Sequence, residues 1–276
     1  MNFNDWSPKR RLELQFQREL NKLGLSMQGS IEGLTDPFEI LSSVKSLFEN
    51  MVFYRYSNGL AEKVVEGVLN ANARSWREAA RESSNGRLIY EALRKELQGP
   101  VGNSVAIQID RNAEIIRSLP LDISKQITKI ISEESMKGRR SEDIAKDILS
   151  RFPDISKSKA ALIARTEVSK TSTALTQARC ENIDIPAYIW RTSEDSRVRS
   201  SHRHMDGVIV FWRYPPSPER LIGGKNPPEP YHAGNIYNCR CYPQPLINLN
   251  YVKWPHKVYW NGTISMMTRA EFEKIA

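Results

Sequence analysis

The sequence predicts an α+β fold, in which a mostly helical N-terminal region precedes a small α+β C-terminal domain rich in proline and glycine. The first observation is periodicity: up to about residue 182, apolar residues recur every three or four positions, as on the buried face of a helix. The second is a composition shift near residues 182–186, beyond which prolines, glycines and aromatic residues become frequent. Proline disfavours long helices and central strands, so we expect short antiparallel strands joined by loops.

Boundaries inside the helical region are predicted from turn and proline signals. Residues 38–52 carry a regular apolar face, and the Asn-Gly pair at residues 58–59 predicts the turn after that helix. Pro120 and Pro153 each predict the end of a helix, because proline cannot donate a backbone hydrogen bond. The alternation of apolar and polar residues at 107–109 predicts a short extended segment.

The last residues of the chain predict a β-hairpin followed by a helix. Residues 258–260 and 263–266 flank an Asn-Gly pair, the preferred sequence of a tight hairpin turn. Thr268 and Glu271 have the spacing of a capping box, which places a helix start at Thr268.

Composition allows a sizeable core and a basic surface. The chain has 276 residues, of which 40% are hydrophobic, and a formal net charge of +8. This charge is compatible with nucleic-acid contact, or simply with a solvated basic surface. No apolar run is long enough for a transmembrane helix. The odd number of cysteines, three, argues against a disulfide scaffold and for a reducing compartment.

Residues 187–246 concentrate the metal-binding residue types, with three of the four histidines and two of the three cysteines. Cys239 and Cys241 are two positions apart, so in an extended segment both sulfurs face the same side and can reach one soft metal. His232, with His202 or His204, would complete a tetrahedral site for one structural zinc ion. The alternative is that the cysteines are buried as small apolar residues and each histidine bonds its own loop.

A dense charged cluster precedes these cysteines, formed by Asp195, Arg197, Arg199, His202 and Asp206. A histidine beside carboxylates can support acid–base catalysis or, with a metal, hydrolysis of nucleic acid. The same residues can equally form a network that braces a loop. Because the sequence has no nucleophile elbow, phosphate-binding glycine loop or HExxH motif, we expect no enzymatic activity.

Four blocks of the sequence together resemble a known family. They are LPLDISKQITKIISEESMKGRRSEDIAKDI, LIARTEVSKTSTALTQAR, YIWRTSEDSRVRSSHRHMDG and YNCRC. In order and spacing they are similar to the phage head morphogenesis (Mu F-like) minor capsid proteins, over about residues 107–245. The first hundred residues share only a general helical character with the family.

The resemblance assigns motif residues to this chain by position. The family's Ala-Arg-Thr-Glu helix motif falls on residues 164–167, its Asp-x-Arg-x-Arg-x-x-His element on residues 195–202, and its Asn-Cys-Arg-Cys element on residues 238–241. Its Asp-Gly pair falls on residues 206–207. On this basis the structural motif residues are Arg165, Glu167, Asp195 and Asp206. The metal ligands expected from residue type and spacing are His202, Cys239, Cys241 and His232, of which His232 has no place in the family pattern.

The resemblance implies a virion protein of a tailed bacteriophage, located inside the capsid near the portal and present in the host cytoplasm during assembly. It would aid head assembly, DNA packaging or DNA ejection, with the portal, major capsid and scaffolding proteins as partners. Double-stranded DNA would be bound without sequence preference through Arg197, Arg199, Arg203 and Arg240. The alternative function is a metal-dependent, nuclease-like enzyme in the C-terminal domain.

Three domains follow from the composition shift and the resemblance together. Residues 1–105 form a helical region that we expect to bind the portal or capsid. Residues 106–182 form the helical part of the Mu F-like module, and residues 183–276 form the compact α+β domain.

Overall fold

The computed structural model describes residues 6–83 and 86–276 and has the predicted α+β fold. Long helices fill the chain up to Asn182, and a small mixed sheet follows. The helices before the sheet are α1 (Arg10–Ile31), α2 (Pro37–Ser46), α3 (Met51–Glu82), α4 (Gly86–Lys95), α5 (Pro100–Met136) and α6 (Ser141–Asn182). Among the described residues, no helix is both long and apolar enough to cross a membrane.

The chain forms two compact units, each assembled from separate segments. The helical unit comprises Arg10–Val65 and Ile107–Arg165. The site unit comprises Glu66–Ala106 and Thr166–Ala276, together with residues 6–9. The division of the chain into three contiguous domains stays a prediction.

The predicted helix ends at Pro120 and Pro153 are wrong, because both prolines lie inside helices. In α5 the buried side chains of Ile116, Leu119 and Ile123 continue one apolar stripe across Pro120. Burying such a stripe outweighs the loss of one backbone hydrogen bond, so tertiary packing overrides the local proline preference.

The two predicted breaks at residues 58–59 and 107–109 are also wrong. The Asn-Gly pair lies within α3, and residues 107–109 lie within the first turns of α5. There Gln108 is buried while Ile107 is 62% exposed, so the alternation that resembled a strand does not reflect a buried face.

The sheet has five strands in the order β3-β1-β2-β4-β5. Three of the four pairings are antiparallel, as predicted, while β2 and β4 run parallel with Ile209 opposite Val258. A parallel pair requires a long crossover, which the loops and β3 between the two strands provide. The strands are β1 (Ala187–Arg191), β2 (Ile209–Phe211), β3 (Tyr242–Pro245), β4 (His256–Trp260) and β5 (Thr263–Met267).

The predicted hairpin and terminal helix are confirmed. Asn261 and Gly262 both have positive φ, 48° and 81°, as the tightest two-residue hairpin turn requires. Thr268 accepts a hydrogen bond from the Glu271 backbone amide, and the Glu271 carboxylate accepts one in return from the Thr268 amide.

Strands β1, β2 and β3 are buried on both faces of the sheet, whereas most residues of β4 and β5 are partly or fully exposed. Ala187 and Ile189 contribute to a cluster on one face. Tyr188 and Trp190 contribute to a larger aromatic cluster on the other, which includes Cys239 and Cys241. The candidate site therefore lies on the Tyr188 and Trp190 face of the sheet. Three short helices complete the site unit, α7 (Ser200–Met205), α8 (Pro218–Leu221) and α9 (Arg269–Ile275).

Candidate functional site

Three predicted metal ligands converge inside the site unit. His202 lies on α7, while Cys239 and Cys241 lie just before β3, and all three side chains are buried. The Nδ1 atom of His202 is 3.5 Å from Sγ of Cys239 and 3.4 Å from Sγ of Cys241. The potential ligand atoms all lie within 4.8 Å of one another, so one ion could contact all three.

The other ring nitrogen of His202 is held by a tyrosine and a glutamate. Nε2 of His202 is 2.8 Å from the Tyr231 hydroxyl, which in turn donates to the Glu219 carboxylate at 2.7 and 2.9 Å. Ser201 also donates to Glu219, at 3.0 Å. Because the Tyr231 hydroxyl gives its one proton to the carboxylate, it accepts from Nε2–H of His202. This assignment leaves a lone pair on Nδ1, directed at the two sulfurs.

The two thiols influence each other strongly. The Cys241 backbone amide donates to the Cys239 sulfur at 3.4 Å. The hydrogen bond from the Cys241 thiol lowers the pKa of Cys239 despite its burial. The same hydrogen bond and burial raise the pKa of Cys241. The pair therefore forms one thiolate much more readily than two.

Helix α6 holds the loop that carries the cysteines. The Asn238 amide donates to the Thr166 hydroxyl at 2.9 Å, and the Thr173 hydroxyl donates to the Ala233 carbonyl at 2.8 Å. Gly234 has φ +84°, and a Cβ there would lie only 2.6 Å from the Thr173 hydroxyl oxygen. Glycine is thus required by both the backbone conformation and the close approach of the helix.

Arg165 and Glu167 each lie close to a charged residue of their own unit. In the helical unit, Nε of Arg165 lies 3.1 Å from the Glu13 carboxylate. In the site unit, the buried Glu167 carboxylate lies 3.8 Å from Nζ of Lys170.

The two predicted motif aspartates brace loops. Asp195 forms a two-pronged ion pair with the Arg240 guanidinium and accepts from the Arg197 amide at 2.9 Å. Desolvation acts to raise the pKa of Asp195, but these hydrogen bonds outweigh it and the pKa lies below its usual value. Asp206 accepts from the amide and the hydroxyl of Thr192, at 2.8 and 3.1 Å.

The four predicted DNA-binding arginines differ in how far their charge is offset. Arg240 is neutralised by Asp195, and the more exposed Arg197 lies 3.7 Å from the same carboxylate. Arg199 donates to the Tyr237 carbonyl at 3.0 Å, and Arg203 donates to a carbonyl at 3.3 Å. Bonds to carbonyls leave the positive charge in place, so Arg199 and Arg203 keep theirs. DNA binding by these residues stays a prediction.

The structure does not bring His232 to the other three predicted ligands. Its Nδ1 is 3.2 Å from the Tyr188 hydroxyl, and its ring packs edge-on against Trp212 with centroids 5.2 Å apart. Burial lowers the pKa of His232 to about 4, so the ring is neutral at physiological pH. Among the described residues, the group of converging ligand atoms consists of His202, Cys239 and Cys241.

Sequence reasoning missed Tyr231 and Glu219. Each is separated by many residues from the histidine it orients, so no local spacing reveals the contact. The neighbouring Tyr-His pair at 231–232 was the available signal, but it directed attention to the histidine rather than to the tyrosine.

Comparison with known proteins agrees with the resemblance seen in the sequence. Residues 125–243 match the family described as phage Mu protein F like protein. An uncharacterized protein of Haemophilus influenzae is 31% identical over 142 residues, covering 50% of this chain and 28% of that protein. An uncharacterized protein of Methanocaldococcus jannaschii is 32% identical over 123 residues, covering 45% of this chain and 17% of that protein.

The chain therefore spans less than a third of the length of these curated relatives. No solved structure matches it. The matched segment contains the Thr166 anchor, the Asp195 brace and the three converging ligands. Residues 125–243 of the chain are therefore similar to the phage Mu protein F like family, and this similarity includes the residues of the candidate site.

Proposed function

We propose that this chain is a minor capsid protein of a tailed bacteriophage, associated with the portal inside the head and acting in head assembly, DNA packaging or DNA ejection. The observation that carries the proposal is the family match over residues 125–243, which includes every motif element of the site unit. The match supports a role in phage head morphogenesis. Association with the portal, location inside the capsid and binding of DNA go beyond what the match supports and are part of the proposal.

Exposed apolar side chains on the helical unit support a protein partner. Met51 and Val52 are adjacent in sequence and are 65% and 76% exposed, so together they present apolar surface that a partner could cover. Val52 also lines a groove with Leu23, Met27 and Phe53. We assign this groove to the portal or capsid contact.

The portal contact is tested by co-purifying the chain with the portal protein encoded by the same phage. Val52→Asp is expected to reduce the recovered complex at least about tenfold, because it places a charge in an apolar contact. Met136→Asp is the matched control, since Met136 is equally exposed on the same unit but does not line the groove. Unchanged recovery with Val52→Asp would reject the groove, and no recovery of the unaltered chain would reject the portal contact.

The DNA contact is assigned to Arg197, Arg199 and Arg203, with Arg240 acting mainly through Asp195. A variant that replaces Arg197, Arg199 and Arg203 together removes three phosphate contacts. The slope of the logarithm of the DNA-binding constant against the logarithm of salt concentration is then expected to become shallower by about three. A control variant replaces Lys22, Lys125 and Lys129, three exposed lysines of the helical unit. Equal effects of the two triple variants would show that binding depends only on net charge.

The alternative, a metal-dependent nuclease, has less support. Asp195 and Asp206 are engaged in local hydrogen bonds, and the three converging ligands are buried rather than open to a nucleic acid. The match to the phage Mu protein F like family supports a structural role rather than an enzymatic one. Cleavage of DNA in the presence of divalent metals, abolished by His202→Ala, would establish this alternative instead.

A further inference from the structure

We propose that His202, Cys239 and Cys241 bind one zinc ion, through Nδ1 and two thiolates, with the fourth position filled by a ligand from outside the chain. The site lies on the sheet face formed by Tyr188 and Trp190. It would join α7 to the segment that leads into β3, two elements separated by more than thirty residues.

The nitrogen-to-sulfur distances fit a bound zinc ion. Zinc lies about 2.3 Å from a thiolate and about 2.0 Å from an imidazole nitrogen, so tetrahedral geometry separates nitrogen and sulfur by about 3.5 Å. The two observed separations from Nδ1 are 3.5 and 3.4 Å. The side chains therefore already have the spacing that the ion requires.

The histidine also has the orientation of a metal ligand. A metal-binding histidine needs its free nitrogen directed at the ion and its other nitrogen held by an acceptor. Tyr231 and Glu219 supply that acceptor chain, at 2.8 and 2.7 Å.

The surroundings of the sulfurs favour a thiolate at Cys239. The Cys241 amide donates to the Cys239 sulfur at 3.4 Å, a contact that stabilises a thiolate. The Trp190 ring lies edge-on to His202, with centroids 5.6 Å apart, and helps to enclose the group. The Cys241 amide therefore favours negative charge on the Cys239 sulfur in a buried setting.

The donor set selects the metal. Two thiolates and one imidazole suit zinc, whereas magnesium and calcium require oxygen ligands. Within the described parts of the chain, no fourth His, Cys, Asp or Glu joins the group. Three protein ligands leave one position for water or another small donor.

The test is the metal content of the untagged full chain, measured by elemental analysis after exhaustive dialysis. About one zinc per chain is expected, and Cys239→Ser, Cys241→Ser and His202→Asn should each lose most of it. Cys180→Ser and His232→Gln are matched controls, since both residues are buried in the same unit outside the group, and both variants should keep the zinc. No zinc in the unaltered chain, or equal zinc in all five variants, would overturn the proposal.

A second measurement does not depend on the folding of the variants. The unaltered chain is stripped of metal and titrated with cobalt(II), whose absorption reports its ligands. Intense tetrahedral visible bands with sulfur-to-cobalt charge transfer are expected, and Tyr231→Phe should weaken binding about 10- to 100-fold while keeping the same bands. A weak octahedral spectrum without charge transfer would overturn the proposal.

Discussion

The helical unit and the site unit are stabilised by different kinds of contact. In the helical unit the buried residues are mostly aliphatic and lie along helix faces, as Ile116, Leu119 and Ile123 do on α5. In the site unit the aromatic core surrounds specific polar contacts, such as the chain from His202 through Tyr231 to Glu219. A long apolar stripe therefore tolerates a local interruption such as the proline within α5, whereas the site depends on individual contacts.

The largest expected effect on stability comes from removing a core side chain of the helical unit. Ile123→Ala should lower the free energy of unfolding by about 2–5 kcal/mol, because it leaves a cavity in a fully buried stripe. Urea denaturation of the purified variant measures the change. Ile107→Ala on the same helix is the control and should change stability by less than about 0.5 kcal/mol, since Ile107 is exposed. Equal losses at both positions would contradict the packing of α5.

The next effect concerns the buried histidine of the site unit. The pKa of His232 is about 4 when folded and about 6.5 when unfolded, so between these values the unfolded chain binds the proton and the folded chain does not. Stability should therefore fall as pH is lowered from about 6.5 to about 4, by up to roughly 3 kcal/mol.

Urea denaturation at several pH values tests this linkage. The His232→Gln variant should lose most of the pH dependence in that range. His204→Gln is the control because His204 is exposed, and it should keep the dependence of the unaltered chain. An unchanged pH profile in His232→Gln would show that His232 is not the titrating group.

A smaller effect tests the anchoring of the cysteine loop by α6. Thr173→Val keeps the shape of the side chain but leaves the buried Ala233 carbonyl without its donor, at a cost of about 1–3 kcal/mol. The exposed Thr263→Val removes a similar hydroxyl-to-carbonyl bond and should cost much less. Equal stability of the two variants in thermal denaturation would contradict the anchoring role of Thr173.

The smallest expected effect on stability comes from replacing the proline inside α5. Pro120→Ala restores a backbone hydrogen-bond donor in the middle of a helix, which stabilises the folded chain. It also removes the rigidity that proline gives to the unfolded chain, which acts in the opposite direction. We expect the free energy of unfolding to rise by about 1 kcal/mol on balance. Chemical denaturation measures the gain. A clear loss of stability would mean that Pro120 contributes packing that alanine cannot replace.

The elements that could be predicted from the sequence are those encoded by neighbouring residues. The hairpin turn at Asn261 and Gly262 and the capping box of Thr268 and Glu271 need only residues within one turn of each other. The α+β fold class follows from periodicity and composition in the same way. Pro120 shows the limit, because the energy that keeps α5 continuous comes from packing rather than from local preference.

The candidate site was predicted in part, for a related reason. Cys239 and Cys241 are close in sequence and His202 belongs to a recognisable motif, so their grouping could be expected. Glu219 and Tyr231 contact His202 only because the chain folds back over α7, which residue spacing does not encode. His232 was included for its residue type, yet β1 and Trp212 enclose it in the aromatic core.

The most direct test of the proposed function is the content of this chain in purified phage heads. Heads are isolated from cells that express the intact phage genes and from cells that lack the portal gene, and the chain is quantified by mass spectrometry. We predict a few copies per head when the portal is present and a strong depletion when it is absent. Heads that contain the portal but no trace of this chain would contradict the account.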